Sequence, residues 1–180
     1  YGQPERLVGA WHDLPPINIS RANQTPGTYF AYRKLSKSIE GIGIYSEGSV
    51  NVSDPRSGSE PQRITTAFIS AGLVPVLQVA PLLGRSFTEA EDLPNGAKVV
   101  LISEGMWRSR FGADPAVIGR TLEVDGASRE IIGVMPARFR FPVASTQMWV
   151  PQALDPNAAF PGGFSYNAVA RLKPGITIEA

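Results

Sequence analysis

The apolar positions change period several times along the chain. Tyr29, Tyr32, Leu35 and Ile39 recur at helical spacing and predict one amphipathic helix of about three turns. Asn23 or Thr25 caps it, and Pro26 occupies the first helical position, where a missing N–H costs nothing. Arg33, Lys34 and Lys37 sit towards its C-terminal end, where the helix dipole favours cations. Before it, residues 5–11 predict a short strand and residues 14–23, polar and rich in proline, a loop. After it the period drops to two. Residues 41–45 alternate small and large side chains and predict a strand, residues 49–53 a second, and residues 63–69 a third, with a turn at 54–58. Helix and strands together predict half of an α+β sandwich, the helix covering one sheet face.

The stretch from Gly84 to Pro142 reads as a unit with its own punctuation. Pro75 confines any helix in residues 71–79 to a short one starting near Leu73. Val99–Ile102 has the continuous apolar character of a buried strand. Ser103 caps a helix that carries Met106, Trp107, Arg110 and Phe111 on one side and ends at Gly112. Asp114-Pro115 opens a further turn that Gly119 stops. Leu122 and Val124 alternate with polar residues up to Asp125-Gly126, a two-residue hairpin signal, and residues 128–134 return. Residues 149–150 predict a short strand, 155–163 a flexible loop and 167–172 a closing strand, while 176–180 look like the start of a helix.

Composition narrows the class. The chain has 180 residues, 43% of them hydrophobic and 18% charged, with 18 Gly and 16 Pro. That balance suits a turn-rich α+β chain with a real core rather than a disordered one. A net charge of +1 and the lack of any Lys/Arg run give no reason to expect nucleic acid as a partner. Without cysteine, disulfides, thiolate metal sites and thiol chemistry are excluded. No apolar run reaches the roughly 20 residues that span a bilayer. Tyr1 is not an initiator methionine, so the chain reads as a piece of something longer.

Candidate chemistry is sparse. His12 is the single histidine, and a solvated or capping role fits it better than a metal ligand. Glu89, Glu91 and Asp92 read as the acidic first turn of a short helix, with a hard-cation site as the alternative. Ser103 lies outside a nucleophile elbow, and Gly41-Ile-Gly43 lacks the third glycine of a dinucleotide loop. No phosphate loop with its Lys-Ser/Thr is present. The expectation is a chain that is not an enzyme and takes no cofactor, metal or catalytic residue. Arg108, Arg110, Arg138 and Arg140 suggest a basic patch for a partner or lipid head groups; otherwise Arg110 lies along Trp107 and pairs with a carboxylate. Arg138, Phe139, Arg140, Phe141 and Trp149 form the candidate partner-contact surface, with core packing of the three aromatics as the alternative.

Several segments in order carry a family resemblance: Pro4–Val8, Ile69–Leu77, Pro81–Phe87, Val100–Pro115, Ile118–Leu122, Gly133–Pro136, Phe139–Pro142 and Arg171–Thr177. With these the chain resembles the MacB-like periplasmic core domain of ABC transporter permeases of the MacB/FtsX type. Gly84-Arg85 and Trp107–Gly112 are similar to the large permeases abundant in Acidobacteria. The resemblance implies a periplasmic, extracytoplasmic domain of an inner-membrane protein, tethered at both ends to membrane helices. It implies an α+β fold: a porter-like subdomain from residues 1–66 and 164–180, its C-terminal part incomplete, with a mixed sheet and helices on one face. A smaller α/β subdomain, residues 67–163, would be inserted in it. The implied function is to couple cytoplasmic ATP hydrolysis to mechanical motion outside the membrane, in export or efflux. Implied partners are a cytoplasmic ABC ATPase, a second permease copy, and periplasmic adaptor or outer-membrane proteins. The rival expectation is a periplasmic module that binds a small molecule or peptide between the subdomains.

Overall fold

The computed structural model describes residues 1–180 except 15, 17, 57–59, 158–162 and 178–180. In chain order it forms a 3-10 turn (Pro4–Arg6), β1 (Leu7–Gly9), β2 (His12–Leu14), β3 (Ile19–Ala22), α1 (Pro26–Leu35), β4 (Ile39–Ser53), β5 (Gln62–Ile69), α2 (Leu73–Leu77) and β6 (Leu83–Gly84). There follow β7 (Val99–Ser103), α3 (Glu104–Phe111), a 3-10 turn (Pro115–Val117), β8 (Thr121–Val124), β9 (Ala127–Met135), β10 (Met148–Pro151) and β11 (Asn167–Leu172).

β4 organises the molecule. Its 15 residues make one strand where the sequence predicts two, because Ser46–Gly48 stay extended and pair with Ala67, Phe68 and Thr66 of β5. Its first half pairs with β11, and β11 pairs with β1, both antiparallel. Its last residues, Val52 and Ser53, pair with β8 on the side away from β5. From β8 the pairing runs through β9, β7 and β10 back to β5, so six strands, the second half of β4 among them, close into a barrel. β6 adds to the outer edge of β9. The sheet is mixed, and its helices give the α+β class expected from the sequence. The expected boundary between residues 66 and 67 falls inside β5, which pairs with β4 on one side and β10 on the other.

Alternation decides which side chains go where. Val50, Val52, Ile64, Ile102, Leu122, Val124, Met148 and Val150 fill the barrel, and Met106 and Phe111 of α3 close on the same cluster. In β9 the register against β7 slips by one residue at Ile132, so Ile131 and Val134, three apart, both face inward. Outward-facing Ala67, Ile69, Leu101 and Trp149 pack under α2, Phe87 and the 135–141 segment. In β4 the large residues Ile42 and Ile44 face α1, where Tyr29 covers them. The small ones, Gly41 and Gly43, face α2. A Cβ on Gly43 would lie 2.4 Å from the Leu73 Cα, so only glycine lets this helix lie so close to the sheet.

Several local expectations change. Residues 12–14 and 19–22 pair as a hairpin rather than a loop. The predicted helical stripe is cut short: α1 stops at Leu35, which is 71% exposed, and Ile39 already belongs to β4. Thr25, not Asn23, caps α1, through a reciprocal pair with Thr28. Residues 88–92 make one hydrogen-bonded turn, not a helix. Much of the predicted 155–163 loop and the end of the predicted 176–180 helix lie outside the described residues.

Candidate coupling site

The segments entering and leaving the domain lie side by side. Leu7 of β1 sits opposite Arg171 of β11, so residues 2–6 and 172–173 occupy the same end of the sheet. Two arginines bind them together. Arg171 is 2% exposed, and its guanidinium donates from Nε to the Val76 carbonyl (2.8 Å), from Nη2 to Gly2 (2.7 Å) and from Nη1 to Gln3 (3.3 Å). Buried in this way, the charge is balanced by three carbonyl dipoles, one from α2 and two from the N-terminal segment. Arg6, at the end of the 3-10 turn that leads into β1, answers from the other side: Nε and Nη2 both donate to the Leu172 carbonyl (2.9 and 2.6 Å), and the same group pairs with Glu40 at the start of β4. The two arginines fix the chain ends to β4, α2 and each other.

A second polar cluster joins this end to the barrel side. Ser70, where β5 gives out, bonds Ile44 twice: its N–H donates to the carbonyl (2.9 Å), and its Oγ accepts from the amide (3.0 Å). Asp92 accepts from the N–H groups of Ala71 (2.8 Å) and Ala153 (2.9 Å), tying the start of α2 to the segment after β10. Burial pushes the Asp92 carboxyl above its ordinary value, and the two N–H bonds oppose this. Glu91 behaves in the opposite way. Arg85 donates to both its oxygens (2.8 and 2.7 Å) and Thr88 adds its N–H and hydroxyl, which holds the carboxyl at about 2. Arg33 of α1 reaches across to Glu89 (2.9 Å). All three acids of the sequence-predicted cluster are thus engaged with cations or backbone amides on different segments.

Between α1 and α2 lies an open groove of about 560 Å³. It exists because β5 pairs with β4 only from Tyr45 onward, leaving the first residues of β4 without a strand on that side. Tyr32, Arg33, Gly41, Pro75, Val76 and Phe87 are among its walls.

The candidate partner-contact surface is corrected in part. Phe139, Phe141 and Trp149 are 3%, 9% and 0% exposed. The Trp149 indole N–H donates to the Phe141 carbonyl (2.8 Å), and its ring lies 5.0 Å from that of Phe139. They belong to the core because β10 places Trp149 on the face that the 135–141 segment covers. Arg138 and Arg140 remain at the surface. Arg108, not Arg110, lies over Trp107 and pairs with a carboxylate, that of Glu104; Arg110 instead donates to the Gln62 side-chain carbonyl (2.7 Å). His12 bonds Gln24 (2.8 Å) and stacks on Tyr32. Arg171 is not among the candidate residues of the sequence, although β11 carries a signal for it: a charge sharing a strand face with apolar Val169.

The model of the MacB-like periplasmic core domain matches residues 9–180. No curated protein sequence matches the chain. Among solved structures, the periplasmic region of MacB from Actinobacillus actinomycetemcomitans superposes with a TM-score of 0.68 at 17% identity, over 96% of this chain and 76% of that one. A permease domain from Porphyromonas gingivalis gives 0.67 at 18%, over 88% and 66%. The extracellular domain of the ABC-type transporter YknZ from Gram-positive bacteria gives 0.63 at 20%, over 94% and 83%. At these identities the structures share the fold with this chain, and the family match carries the assignment. The chain belongs to the MacB-like periplasmic core domain family.

Proposed function

We propose that this domain is a lever that couples cytoplasmic ATP hydrolysis to motion outside the membrane, in export or efflux. The observation that carries this reading is the pairing of β1 with β11, fastened by Arg6 and Arg171. In a protein tethered through both ends, a displacement of either membrane helix would enter the sheet at one place. β11 would pass it to β4, and β4 runs on into the barrel. Its partners are a cytoplasmic ABC ATPase and a second permease copy, with adaptor or outer-membrane proteins beyond them. We read the domain as free of catalysis. That reading is supported by the engagement of Glu89, Glu91 and Asp92 with Arg33, Arg85 and backbone amides.

The test is the ratio of transport to ATP hydrolysis in the full-length permease with its ATPase. The double variant Arg6→Met, Arg171→Met is expected to keep hydrolysing ATP while transport falls. Transport at the unaltered rate, with the variant domain folded, contradicts the reading. The groove between α1 and α2 supports a second reading, a module that binds a small molecule or peptide. Saturable binding there that survives loss of transport coupling would favour it.

A further inference from the structure

We draw no further inference here: the strongest candidate, the exposed face of α1 at Ala31 and Leu35 with the stacked His12 and Tyr32 rings beside it, is an unpartnered apolar surface, and nothing in the structure shows what covers it.

Discussion

Glu91 is where charge and stability are tied most closely. Its carboxyl is held at about 2 against an ordinary 4.5, chiefly by Arg85. Because the folded value lies below the unfolded one, this stabilisation is fully present above about pH 4.5 and is lost as pH falls towards 2. Arg85 is half exposed, so solvent screening reduces what the shift alone would suggest. Glu91→Gln is expected to lower stability by about 1–2 kcal/mol at pH 7 and by much less at pH 2–3. Urea unfolding at the two pH values checks this, and an equal loss at both would contradict it. Arg171 acts through burial instead. Arg171→Met keeps the stem but leaves the Val76 carbonyl buried without a donor, at a cost of about 2–3 kcal/mol. Hydrogen exchange is expected to speed up in residues 2–9 and 73–77 of this variant, and uniform acceleration across the chain would argue against a local clamp.

At the scale of elements, the signals that were legible are those with a local cause. Ser103 and Gly112 bound α3 as the sequence predicts, with a side-chain cap at one end and a left-handed glycine at the other. Asp125 and Gly126, both at positive φ, turn the hairpin. Closing strand β11 spans the predicted 167–172. What the sequence did not disclose depends on partners far along the chain. Residues 12–14 and 19–22 pair across a proline-rich stretch whose composition signals only loop. β4 reads as two strands because Gly48 and its polar neighbours interrupt the alternation, yet β5 holds them extended. The alternation of Gly41 and Gly43 with Ile42 and Ile44 was visible, but not its cause, the approach of α2 to one face. Gly43→Ala is expected to destabilise the domain by about 1–3 kcal/mol, since its Cβ would overlap backbone at Leu73. Chemical unfolding measures this, and a neutral outcome would show that α2 can shift away at little cost.

At the scale of the whole molecule, fold class and family were legible because motif order runs almost the length of the chain. Barrel closure was not, because it rests on the short pairing of Val52 and Ser53 with β8, which no local pattern announces. Of the candidate contact surface, Arg138 and Arg140 are exposed and the three aromatics are buried; an aromatic residue in sequence looks the same whether it meets a partner or the core. The lever account joins these parts: one entry point for force, one long strand, one closed barrel. Spin-label distances in the full-length permease test it most directly. One pair joins Lys37, near the chain ends, to Ser109 on α3 within a copy; the other joins Ser109 to its equivalent in the second copy. The account predicts that nucleotide binding shifts the second distance and leaves the first unchanged. A first distance that changes with nucleotide, or a second that does not, would contradict it.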